Sequence, residues 1–210
     1  MKERLKEFNP GTTRIEAFSD GVFAIVVTLL VIELGVPHLP DNFTTDDVLK
    51  ELIRMSPKFI SFALSFLVTV IFWSNHHQLF HSLEKADRRL LWYNNLLLFW
   101  ISFIPFPTAF IGEYPLNIVP VIFYGTVLFF AGLSFMLIVT YAAKKNFYYS
   151  YISRELLASG IKRGRLGPLI YFISIVTAFI SVYISLAIFL IVPVLYFIPQ
   201  KIVNVEEKSE

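Results

Sequence analysis

The 210-residue chain has no cysteine, so neither disulfides nor thiolate chemistry enters its function. Charge is also scarce. Only 16% of residues are Asp, Glu, Lys or Arg, where a soluble domain carries about a quarter. A net charge of +2 is too small to imply a nucleic-acid partner. No small-residue cleavage site follows the first apolar run, so no removable signal peptide is expected. No internal repeat is evident, and no loop is long enough for a separate soluble domain. What the chain has instead is apolar mass: 56% hydrophobic and 17% aromatic residues, with 22 Phe. These proportions belong to an integral membrane protein.

Apolar windows follow one another at 14–34, 59–75, 90–112, 114–143 and 166–200. A helix needs ~20 residues to cross the ~30 Å hydrocarbon core, so the 35-residue final window is too long for one span. Charge resolves it. With the N-terminus in the cytoplasm, 15 of the 18 Lys and Arg fall on one side. They lie in the N-terminal arm, at 84–89, at 144–165 and in the tail. Only Lys50, Arg54 and Lys58 lie opposite, among Asp41, Asp46, Asp47, Glu51 and Glu113. This positive-inside bias requires the tail to return, with a tight hairpin near 181–183. The expected fold is therefore all-α, with six spans near 14–35, 54–80, 89–111, 115–143, 167–181 and 183–200. Residues 35–53 are expected as an outside loop and 144–167 as the one sizeable cytoplasmic loop.

The first span carries the most information. Asp20 stands just before an unbroken apolar run from Gly21 to Ile32, and ionisable groups at membrane depth usually pair within the protein and mark function. At ~100° per residue, Ile25, Leu29 and Ile32 fall on one aliphatic stripe, with Thr28 and Gly21 at its edge. Asp20 projects to nearly the opposite face with Glu16 and Phe23. From periodicity alone the stripe reads as lipid contact or ordinary helix packing.

Three further constellations stand out. Trp73, Asn75, His76, His77, Phe80 and His81 close the second span, at a depth similar to Asp20. A buried Asp–His–Trp cluster would satisfy carboxylate and imidazole together. The histidines also suggest a metal site, but His76 and His77 are adjacent on a helix and point ~100° apart. Asn94 lies near the cytoplasmic end of the third span, either joining that cluster or simply bridging helices, and Pro105 and Pro107 predict a kink farther along. Tyr148, Tyr149 and Tyr151, set among basic residues, read as interfacial aromatics of a positive-inside loop.

At these residues the chain resembles the lysosomal potassium channel family (transmembrane protein 175) and its prokaryotic relatives. The resemblance rests on Arg14-x-x-x-Phe18-Ser19-Asp20 and extends to Trp73-x-x-His76, Leu79-Phe80, Asp87, Asn94 and Pro105. It implies a prokaryotic member with one six-helix repeat, spanning 1–210, that assembles as a homotetramer. The first helices of four subunits would line a central pore constricted by rings of Ile25, Leu29 and Ile32, with Thr28 linked to ion selection. Arg14, Phe18, Ser19, Asp20, Trp73, His76 and Asn94 would form a structural or gating network. Arg14 would either face the cytoplasmic mouth or reach Asp20, which is not its direct helical neighbour. The implied function is potassium-preferring conduction in the cell membrane, with both termini cytoplasmic and no enzymatic activity, cofactor or metal. No Thr-Val-Gly-Tyr-Gly filter occurs, so selectivity would come from constriction size and the Thr28 hydroxyls. A secondary transporter, or a proton-conducting channel using Asp20 and His76, is the competing reading.

Overall fold

Side-chain caps and prolines set most of the element boundaries. The computed structural model describes residues 11–197, and among them it contains helices and no strand. Helix α1 (Thr12–Ile32) runs without a proline until the chain turns at Gly35, whose φ of +63° favours glycine. Thr44 and Asp47 then form a reciprocal capping box that starts α2 (Thr45–Arg54). Only Met55 separates α2 from α3 (Ser56–His81), which carries proline in its first turn. Asp87 caps α4 (Arg88–Ser102) by accepting the Leu90 amide at 2.8 Å.

The chain breaks at Phe103 and Ile104, and α5 (Pro105–Glu113) follows. This is the expected kink, because Pro105 and Pro107 lack the amide hydrogens that would continue the helical ladder. Asn117 caps α6 (Ile118–Lys144). Beyond it come α7 (Arg154–Gly164), α8 (Leu166–Ala178) and α9 (Val182–Phe197).

Four stretches among the described residues are long and apolar enough to cross a membrane: Thr12–Ile32, Ser56–His81, Arg88–Glu113 and Ile118–Lys144. Helices α8 and α9, with 13 and 16 residues, rise ~20 and ~24 Å and form a hairpin turning at 179–181. Residues 198–200 of the sixth expected span lie outside the described residues. Two stretches expected as loops contain helices instead. Neither α2 nor α7 is long enough to span, and local capping and amphipathic pattern fold them.

Helix α6 is the hub, packing against α4, α5, α8 and α9, while α1 lies on α3 and α4. Small residues allow the closest approach. A Cβ on Gly132 would come within 3.0 Å of Pro168 Cγ, and one on Gly112 within 3.1 Å of the Lys58 Cα. Buried hydroxyls tie the same helices together. Thr108 donates to Ser65 Oγ at 2.7 Å, and Ser65 lies 3.0 Å from the Tyr124 hydroxyl. Ser174 and Ser185 join α8 to α9 at 2.8 Å.

The two polar connections 82–87 and 145–149 dock on each other. Leu83 and Tyr148 form an antiparallel bridge, the Glu84 amide donates to the Phe147 carbonyl at 2.8 Å, and that of Tyr149 to the Ser82 carbonyl. Asn146, at φ +54°, turns the chain into this bridge.

Candidate functional site

Helix α1 divides lengthwise. Ile15, Ser19, Phe23, Val26 and Leu30 recur every three or four residues and are buried against α3 and α4. The opposite face is bare in the isolated subunit: Ile25 is 60% exposed, Leu29 41% and Ile32 69%. Thr28 is exposed among them, and its hydroxyl is directed back to the Ile25 carbonyl at 2.8 Å. With its hydrogen donated to the helix, the Thr28 oxygen keeps its lone pairs toward the open face.

The packed face is fastened by hydrogen bonds across three helices. Ser19 Oγ donates to the Ile15 carbonyl at 2.8 Å and accepts from Asn94 Nδ2 at 3.0 Å. Asn94 Oδ1 lies 2.8 Å from His76 Nε2, and as an acceptor it requires the ring proton on that nitrogen. Ser19, His76 and Asn94 have no exposed surface, so all three bonds are made away from solvent. His76 packs between Phe23 and Phe80, the latter stacked at 4.4 Å between centroids. One helical step away, Trp73 Nε1 donates to Asp20 Oδ1 at 2.9 Å.

These pairings differ from the expected Asp–His–Trp cluster. Asp20 and His76 do not bond to each other; each has its own partner, Trp73 and Asn94, because their helix faces are rotated apart. Arg14 is exposed, and no described residue pairs with it. Phe18, expected in the network, is 62% exposed and lies on the open face with Ile25. Its position is seven residues before Ile25, so the two share one side of the helix.

A carboxylate–imidazole contact went unread in the sequence. Glu16 Oε1 meets His77 Nδ1 at 2.9 Å, and His77 stacks on Trp73. The signal was present, since Glu16 and Asp20 stand four apart, as do Trp73 and His77. The buried Ser65, Thr108 and Tyr124 hydroxyls were also missed, because apolar windows hide such residues. No group of three or more potential metal ligands is found among the described residues. His76 Nε2 and His77 Nδ1 are committed to Asn94 and Glu16 instead.

Asp87 anchors the docking of the two polar connections. It accepts the Tyr141 hydroxyl at 2.6 Å, and the Arg89 guanidinium lies 5.9 Å over the Tyr141 ring. Partial burial pushes its carboxyl up. The Tyr141 hydroxyl, the Leu90 and Arg89 amides and the Lys145 charge outweigh this and hold it below the usual range.

Residues 14–105 match the family described as the endosomal/lysosomal potassium channel TMEM175. A potassium channel of Chamaesiphon minutus is 34% identical over 181 residues, covering 84% of this chain and 89% of that protein. A potassium channel of Chryseobacterium sp. is 32% identical over 188 residues, covering 90% and 93%. The crystal structure of a lysosomal potassium-selective channel TMEM175 homolog from Chamaesiphon minutus superposes with a TM-score of 0.79 at 32% identity, covering 88% of this chain and 95% of that one. Animal relatives named endosomal/lysosomal proton channel TMEM175 match more briefly. The Danio rerio protein is 32% identical over 107 residues, about a fifth of its length (21%).

Proposed function

The chain belongs to the TMEM175 family, a family of ion channels and not of enzymes, and from that premise we propose that it conducts potassium passively across a prokaryotic cell membrane. Four copies assemble around an axis lined by α1. Rings of Ile25, Leu29 and Ile32 constrict the path, and the Thr28 hydroxyls contribute to ion preference. Each subunit is one channel domain of six spans. The α8–α9 hairpin supplies the last two, and both termini are cytoplasmic.

One observation carries this reading. The α1 face that places Ile25, Leu29 and Ile32 in the open is the face turned away from every polar bond to α3 and α4. Aliphatic rings of this kind close a pore by dewetting and need no charged gate. The Ser19–Asn94–His76 and Asp20–Trp73 bonds then set the rotation of the pore helix.

Proton conduction is the second reading, supported by the similarity to animal relatives named endosomal/lysosomal proton channels. The geometry weighs against a path through Asp20 and His76, because Trp73 and Asn94 already occupy them and neither is on the open stripe. The test is recording from purified protein in planar bilayers under crossed potassium, sodium and pH gradients. A reversal potential that follows potassium is expected. One that follows only the pH gradient would replace potassium with protons as the permeant ion.

A further inference from the structure

The open face of α1 does not end at Ile25. Continuing toward the N-terminus it reads Gly21, Phe18 and Arg14, at helical spacing and on the same side. Phe18 is as exposed as the aliphatic residues assigned to the constriction, and no described side chain stacks on it. Helix α1 has no proline from Thr12 to Ile32, so the side of the helix occupied by Ile25 is also that of Phe18. The two are separated by ~10 Å of rise. Between them lies Gly21, where even an added Cβ would meet nothing within 4 Å.

We propose that Phe18 forms a second, aromatic collar at the cytoplasmic entrance of the pore, and that the Gly21 level between this collar and the Ile25 ring is a vestibule holding a cation that is still hydrated. The proposal rests on the pore reading above and extends it by one constriction and one waiting site. The physical case is a sequence of side-chain sizes along one face. A large ring is followed by no side chain at all and then by a branched aliphatic residue, which makes a narrow, wide, narrow profile around a fourfold axis. The Phe18 faces carry the negative side of the ring quadrupole, so a collar attracts a cation without offering it a fixed charge. Aliphatic rings beyond offer no such attraction. Ion dehydration is thereby deferred to Ile25, while the collar sets the cross-section of whatever enters.

The absence of native cysteine makes the test clean. Phe18→Cys and Gly21→Cys channels are exposed from the cytoplasmic side to a membrane-impermeant cationic thiol reagent during recording, with Phe23→Cys as the packed-face control. A cation tethered at either level should cut potassium current by about ten-fold or more through repulsion in a low-dielectric path, and Phe23→Cys should not respond. Gly21→Ala should lower unitary conductance while leaving the folded protein at its normal yield, since the open space accepts the methyl group. Phe18→Cys or Gly21→Cys that is modified without loss of current, or reacts only with lipid-soluble reagent, overturns the collar and vestibule. Ile25→Asn separates this failure from that of the pore itself. Raised current there, with silent Phe18 and Gly21 positions, leaves the pore standing and removes only its cytoplasmic extension.

Discussion

The two faces of α1 are both largely apolar and differ in the hydrogen bonds they make to other helices. The packed face holds Ser19, flanked by Asp20 and Glu16, and these reach Asn94, Trp73 and His77 on neighbouring helices. The open face presents Ile25, Leu29 and Ile32. In water the aliphatic side would be driven inward. In a bilayer, hydrocarbon is no less apolar than leucine, so helix association depends on fit and on interhelical hydrogen bonds. Interhelical hydrogen bonds accordingly mark where α1 is held, and the exposed Ile25, Leu29 and Ile32 mark where it is free to meet an ion path, lipid or another subunit.

The largest expected effect comes from breaking the packed face. Asn94→Leu strands His76 Nε2 and leaves Ser19 only its bond to the Ile15 carbonyl, and a buried polar group left unpaired costs ~1–3 kcal/mol. Thermal unfolding of the purified protein should shift to lower temperature and yield should fall. Asp20→Asn should act in the same direction more weakly, since Asp20 is only half-buried and an amide oxygen still accepts from Trp73. Normal stability with a sharply altered potassium/sodium ratio in Asp20→Asn would mean that the carboxylate faces ions, and the contrast between the faces would collapse.

Next in size is the open face. Ile25→Asn should wet the constriction and raise leak current several-fold, while reducing discrimination against sodium, because a wetter ring demands less dehydration. Unchanged current would assign this stripe to lipid or protein packing. Disulfide crosslinking of Ile25→Cys or Leu29→Cys sharpens the same point: dimers and higher bands on oxidation are expected from a central α1, and monomers alone would count against it.

A smaller effect is expected from Thr28→Ala. It removes a hydroxyl already bonded to its own helix, so folding should be unaffected. The permeability ratio of potassium to sodium, read under bi-ionic conditions, should fall modestly while leak stays constant.

The smallest effect lies away from α1, at Asp87. Its native carboxyl titrates below the ordinary value of 3.8, so its contribution to stability is complete above that pH. That contribution is lost as pH falls through the lower native value. Tyr141→Phe removes one of the bonds holding it down and should reduce the stability difference between pH 5 and pH 3, as measured by thermal unfolding. An unaltered difference would mean that the amide caps and Lys145 suffice.

Much of the architecture was legible in the linear chain. Span length and the Pro105/Pro107 break each depend on residues close in sequence, and so does the alternation of faces along α1. The amphipathic α2 was readable in principle from Thr44 and Asp47, whose capping box needs only four consecutive residues. Pairings between helices were another matter. Asn94 reaches Ser19 across 75 positions, and Tyr141 reaches Asp87 across 54. Which of several nearby polar groups meets which depends on the rotation and depth of two packed helices, and a helical wheel describes only one. For that reason the sequence alone determined that α1 has one side carrying Glu16 and Asp20 and another carrying the Ile25, Leu29 and Ile32 stripe. Only the tertiary structure decided that Trp73 takes Asp20, that Asn94 takes His76, and that Phe18 is left on the open face, because a side chain's partner is set by the neighbouring helix that packing brings within ~3 Å of it.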